Sequence, residues 1–167
     1  MDKDLLKATR AVPCSVVLLS VGTTEKKDAM TATAMFVAEN LPLLTVSLSK
    51  SSTCHELIEQ TGECCINVAS VEQVHLARQL GAAHGREVDK FTKFNIPVQE
   101  PSIVKAPRIR GSFANLECAV ITSHQAGNYI VYIMEVVAFS IDKKGVPLAW
   151  CGEHYYALDK KVQPTVG

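Results

Sequence analysis

The chain has 167 residues, 47% of them hydrophobic, which is enough for one substantial core and short for two, so residues 1–167 are read as a single domain. Lysine plus arginine equals aspartate plus glutamate at 17 each, and the basic residues are scattered, so no electrostatic footprint for nucleic acid or an anionic membrane is present. Asp4 to Thr9 is predicted as a short helical lead-in ended by Pro13. Val16 to Leu19 is a continuous apolar run bounded by Gly22-Thr23-Thr24, the pattern of a strand buried on both faces. Glu25-Lys26-Lys27 is a charged turn that returns the chain, as in a hairpin, into a second strand from Ala29 to Ala38.

Pro42 opens the next strand, where Leu44, Val46 and Leu48 alternate with Thr45, Ser47 and Ser49, giving one core face and one hydroxyl-lined face. Ser51, Ser52 and Thr53 then lead into a helix that Gly62 stops. Thr53 and Glu56 have capping-box spacing, which makes Thr53 the expected N-cap. Cys64 to Val68 reads as a strand, and Ser70 with Gln73 repeats the capping spacing before a helix from about Val71 to Leu80, closed by Gly81. Ala82 to Val88 is polar and aperiodic, the composition of a mobile loop. Prolines 97, 101 and 107 space an irregular connection, and from Gly111 the chain turns to strands, Phe113 to Thr122 and Tyr129 to Ser140, joined by a turn at Gln125 to Asn128. The last of these is apolar at both parities, so one face is core and the other requires a partner; a homodimer is expected on that ground.

Serines and threonines at strand ends and helix starts ordinarily cap. Here the hydroxyls of Ser49, Ser51, Ser52 and Thr53 stand beside the first amides of a helix, a place for a small phosphate, with Lys50 a nearby point charge or simply a solvated one. The small-residue run Thr31-Ala32-Thr33-Ala34 lets a flat ring approach the backbone while Met30 packs against its edge. Phosphate and flat ring together point to FMN. Cys54, at the helix N-terminus, is a candidate for a lowered thiol pKa, which a bound phosphate would oppose.

The six cysteines form no Cys-x-x-Cys pair and have no histidine at zinc spacing, so no metal site is expected. Residues 1–7 lack the apolar centre of a signal peptide, which points to the cytoplasm and to free thiols. The apolar run Tyr129 to Ile141 contains Glu135 and falls short of the roughly 20 residues a membrane helix needs. No serine, histidine and acid group at a recognisable nucleophile spacing.

The segments Asp28 to Thr31, Pro42 to Ser49 and Ser51 to Ile58 resemble the flavin reductase-like, FMN-binding split-barrel family. The likeness continues in Asp89-Lys90-Phe91, in Gly127-Asn128-Tyr129 through Glu135-Val136, and in Pro147-Leu148 to Tyr155, nearly the whole chain in order. The resemblance implies a mainly β, six-stranded antiparallel Greek-key split barrel with short helical excursions, dimeric, with FMN at the subunit interface. It implies that Ser47 and Leu48 join Ser49 to Thr53 around the cofactor, and that Lys90, otherwise an ordinary surface lysine, reaches the flavin beside Phe91. His84 and Arg86 are candidate contacts for a nicotinamide ribose or phosphate. Asp28 stands where the family often has Asn, Ala34 where some members have an aromatic residue, and Tyr129 where many reductases have a histidine near flavin and nicotinamide.

The activity implied is that of an FMN-dependent oxidoreductase, an NAD(P)H:flavin or ferric reductase, with Tyr129 and His84 nearest the reaction. The acceptor is free flavin, ferric iron or a partner protein. The alternatives are a flavoredoxin-like carrier reduced by another protein, and a binding module that has kept the barrel and lost the flavin.

Overall fold

The computed structural model describes residues 3–162; the extreme ends of the expected 1–167 domain lie outside the described residues. Helix α1 (Lys3–Arg10) leads into β1 (Cys14–Ser15), β2 (Val17–Gly22), β3 (Lys27–Ala32), β4 (Ala34–Phe36) and β5 (Leu43–Ser49), after which α2 (Thr53–Thr61) and β6 (Glu63–Val68) follow. A 3-10 turn, Val71–Gln73, continues into α3 (Val74–Ala82), then come α4 (Lys90–Lys93), the short β7 (Val98–Gln99) and β8 (Arg108–Ile109), the long hairpin β9 (Ala114–Ala126) and β10 (Tyr129–Ile141), and finally β11 (Leu148–Cys151) and β12 (His154–Ala157).

Seven strands form one antiparallel sheet in the order β3-β2-β6-β9-β10-β5-β4, curled into a half-barrel. The count exceeds the six expected because the predicted strand Ala29 to Ala38 breaks at Thr33. Its first half pairs with β2 and its second with β5, so a single run of chain supplies both edges of the sheet and ties them together covalently. That arrangement brings the two edges of the half-barrel together at Thr33 without hydrogen-bonding them to each other. The β9–β10 turn has only two residues, with Gly127 at φ 60° in the first place, a backbone angle that favours glycine there.

The barrel interior is filled by alternate residues of the strands, among them Val17, Leu19, Val46, Leu48, Ile66 and Met134, and is closed by Cys54, Leu57 and Ile58 of α2. Val16 and Leu18, of opposite parity, pack outward under Ala77 and Leu80 of α3, Phe91 of α4 and Leu148 of β11. This two-sided cover is why Val16 to Leu19 is apolar at every position. Helix α2 is anchored by a polar brace as well: the Tyr132 hydroxyl donates to Glu59 Oε1 at 2.6 Å and lies 2.6 Å from His55 Nδ1. Gly62 ends α2 at φ 68°, its N–H reaching Ile58 O at 2.7 Å, as predicted. Gly81, predicted as the stop of the next helix, lies inside α3, which runs on to Ala82. A Cβ there would meet Thr31 only at ordinary contact distance, so α3 packs close on β3 at this point.

The irregular Pro97 to Pro107 connection is organised by a buried carboxylate. Glu117, on β9, accepts from the amides of Ser102, Ile103 and Val104 at 2.7, 2.7 and 3.0 Å and from Arg108 Nε at 2.6 Å. Burial pushes its pKa up, and these amides with the Arg108 guanidinium outweigh that and hold the carboxyl below its ordinary value.

Candidate functional site

The alternation of β5 sends Val46 and Leu48 into the barrel and leaves Ser47 and Ser49 on its outer surface, beside β3 and the start of α2. Two adjoining cavities lie there. The first, about 370 Å³, is lined by Asp28, Ser49, Ser51, Ser52, Thr53, His84, Gly85, Arg86 and Lys90. The second, about 770 Å³, runs past Ala32, Thr33, Ser47 and Tyr129 to Ala77, Arg78, Trp150 and Tyr155. Met30, Thr31, Ser49, Gly81 and His84 line both, so the two make one groove. Ala34 lies around the corner with Thr33 and Ser47, in a smaller hollow of about 260 Å³.

At the closed end of the groove the hydroxyls divide their work. The N-cap of α2 is Ser52, not the expected Thr53: with an extended backbone, Ser52 Oγ accepts from His55 N at 3.1 Å and donates to Ser49 O at 2.9 Å. A cap at 52 puts Glu56 four residues on, beyond the reach of a capping box, and Glu56 pairs instead with Arg86. Ser49 Oγ and Ser51 Oγ are 2.9 Å apart. Thr53, first residue of the helix and only 3% exposed, has a buried hydroxyl with no hydrogen-bond partner among the described residues. A buried hydroxyl of this kind is normally satisfied, so this one, beside free amides of a helix start, fits a site for a polar ligand group. The phosphate of FMN matches it.

Lys90 is not the surface residue that its type suggests. It is 3% exposed, its Nζ donates to Ala29 O at 2.6 Å and lies 3.2 Å from Asp28 Oδ1. Asp28, in place of a neutral amide, is thus the counter-ion of this lysine, and the pair brings no net charge to the cavity floor. Gly85 rests on the Asp28 carboxylate so closely that a Cβ would collide with it. Cys54 is also drawn in, its Sγ 3.5 Å from Asp28 Oδ2. Its thiol pKa is raised, not lowered as its helix position suggested: complete burial disfavours the thiolate, and the Asp28 carboxylate adds to that.

Several other candidates turn away from the groove. Leu48 is wholly buried in the barrel, and Phe91 packs in the outer core beneath the Lys27 ammonium, 4.7 Å from its ring centre. Both alternate or rotate with their elements so that the preceding residue faces the ligand side. Lys50 points along the hairpin, donating to Gln125 Oε1 at 3.3 Å. Thr31 stays on the groove wall, but its hydroxyl is committed to Ala77 O at 2.5 Å, docking α3 on β3. His84 and Tyr129 do line the groove, Tyr129 with 53% of its surface exposed. Arg78, Trp150 and Tyr155 were not anticipated as neighbours: the Arg78 guanidinium lies 5.4 Å from the centre of the Tyr155 ring. Trp150 and Tyr155 are paired in the β11–β12 hairpin, far along the chain, and no local pattern connects them to α3.

Comparison with known proteins agrees with this architecture. A protein of Archaeoglobus fulgidus with no assigned function is 30% identical over 120 residues, 71% of this chain and 68% of its own. The 4-hydroxyphenylacetate 3-monooxygenase reductase component of Escherichia coli is 22% identical over 99% of both chains. Among solved structures, the NADH:FAD oxidoreductase of Streptomyces globisporus C-1027 has the same fold, with a TM-score of 0.83 at 22% identity, covering 98% of this chain and 96% of that one. Residues 9–159 match the family described as the flavin reductase like domain, and the chain belongs to that family.

Proposed function

We propose that this protein is an FMN-dependent oxidoreductase, a reductase that takes electrons from NAD(P)H. The observation that carries the reading is the unpartnered, buried Thr53 hydroxyl, set among Ser49, Ser51 and Ser52 at the end of a groove whose walls are small residues. Thr53 and the first amides of α2 would hold the phosphate, and Ala32, Thr33, Ser47 and Ser49 would line the place of the ring. FMN, when bound, supplies two-electron redox chemistry. The protein's part is to position the cofactor, exclude water from one side of the groove and leave the other side open to a donor. The neutral Lys90–Asp28 pair keeps the floor polar without a fixed net charge. Family membership supports the enzymatic reading; of the named relatives, the monooxygenase reductase component supports a reductase, and the NADH:FAD oxidoreductase supports a nicotinamide donor such as NADH.

The exposed outer residues support a homodimer. Met35, Phe36, Ile121 and Phe139 lie on β4, β9 and β10, all at least half exposed, and Tyr129, at the rim of the groove, is of the same kind. A second copy covering that surface would also wall the groove. A carrier function, in which a partner protein supplies the electrons, is favoured by one feature, the half-exposed Tyr129 ring at the groove mouth, which would crowd a nicotinamide entering there. Mixing the FMN-loaded protein anaerobically with NADH or NADPH separates the two: rapid loss of flavin absorbance supports the reductase, and no bleaching with either donor refutes it.

A further inference from the structure

The closed end of the groove presents a charge problem. A phosphate monoester is a dianion, yet both cations that line this cavity are already paired, and Lys50, beside Ser49 and Ser51 in the chain, is turned to Gln125. Lys90 is neutralised by Asp28 inside the protein, and Arg86 is paired with Glu56. The carboxylate of Glu87 also lines this cavity. Of these groups only Arg86 is free to move. Its ion pair faces solvent, with side-chain exposures of 60% for Arg86 and 38% for Glu56, whereas Lys90 and Asp28 are 3% and 4% exposed. Solvent-facing pairs are weak, because water screens the attraction and two long side chains must be held in one geometry. Arg86 itself lines the cavity that holds the unpartnered Thr53 hydroxyl, and Glu56 sits one turn along the same helix.

We infer that Glu56 and the ligand's phosphate compete for Arg86: the Arg86–Glu56 pair is the resting position of a guanidinium that transfers to the phosphate when the ligand enters. Glu56 is then a negative determinant of affinity, an anion holding the place that a better anion takes. This also reassigns Arg86 from the nicotinamide end of the groove to the phosphate end. The inference rests on the FMN reading above and concerns which residues set the strength and selectivity of binding. A planar guanidinium bonds two phosphate oxygens at once, which a lysine in its place does not.

The test is a calorimetric titration of wild type, Glu56→Gln and Arg86→Gln with FMN and with riboflavin, which lacks the phosphate. Removing the competitor should tighten FMN binding about two- to fivefold, the range a solvent-facing pair is worth. Arg86→Gln should weaken it by about tenfold or more, and neither variant should move riboflavin affinity by more than about twofold. Glu56→Gln binding FMN no better than wild type overturns the competition. Equal changes for both flavins overturn it too, since they would show that the pair only holds the loop in place. Wild-type protein that binds neither flavin overturns the functional reading as a whole, a result distinct from the other two.

Discussion

Thr53→Val separates ligand binding from helix stability. Valine has the shape of threonine without the hydroxyl, and among the described residues that hydroxyl has no partner. The cap of α2 belongs to Ser52, so the change removes no helix-capping bond. Leaving a buried hydroxyl unsatisfied costs about 1 to 3 kcal/mol, so the variant's apoprotein should be as stable as wild type or up to about 1 kcal/mol more so, after allowance for imperfect packing. FMN binding should behave in the opposite way. Loss of one hydrogen bond to a charged group costs about 1.5 to 3 kcal/mol, a weakening of about ten- to a hundredfold, and riboflavin should be unaffected. Ser52→Ala is the contrasting control, costing the apoprotein about 1 kcal/mol through the lost cap. Urea unfolding of the apoproteins gives the first quantity and calorimetric titration the second. A Thr53→Val protein that is destabilised by more than about 1 kcal/mol, or that binds FMN as wild type does, would show that the hydroxyl is structural and that the phosphate sits elsewhere.

Phe139→Glu, at a position 66% exposed on β10, should shift a dimer to monomer in light scattering; an unchanged dimer would place the interface elsewhere, and a monomeric wild type would remove it. Iodoacetamide at pH 8 should modify the partly exposed Cys14 and Cys151 and spare Cys54 in the native protein, and rapid labelling of Cys54 in mass spectra would contradict its raised pKa. Glu117 has a folded pKa below its unfolded value of about 4.3, so its contribution is complete above that pH and is lost as pH falls through the folded value. Glu117→Ala should cost about 3 to 5 kcal/mol at neutral pH by leaving Arg108 buried without its partner, and thermal melts showing a smaller loss below pH 4 would confirm the sign. Tyr129→His should speed NADH oxidation while leaving FMN affinity nearly unchanged; a wild type that oxidises NADH or NADPH briskly, with the variant no faster, would show that the tyrosine ring leaves the nicotinamide's place clear.

The features that could be read from residues alone are those set by neighbours in the chain. The alternation of Leu44, Val46 and Leu48 with Thr45, Ser47 and Ser49 is a period-two pattern, and it assigned the two faces of β5, including the face that carries the groove. Gly62 as helix stop and the Gly127 hairpin turn follow from local backbone preferences, and the Val16 to Leu19 run reported burial on both sides. The family likeness ordered these pieces into a barrel. What distant residues do to one another was decided in three dimensions. Thr33 interrupts its strand because the two halves pair with opposite edges of the sheet, a demand of barrel closure that leaves no mark on a small-residue run. Lys90 meets Asp28 across 62 positions, and the pair turns an apparently exposed lysine and an apparent substitution into one buried ion pair. The choice between Ser52 and Thr53 as N-cap turned on a backbone angle one residue earlier than spacing indicated. Trp150 and Tyr155 reach the groove because the β11–β12 hairpin brings their side chains against those of α3. Local period and turn chemistry constrain a residue through its neighbours, whereas charge pairing, burial and the walls of a cavity depend on the register between segments far apart in the chain.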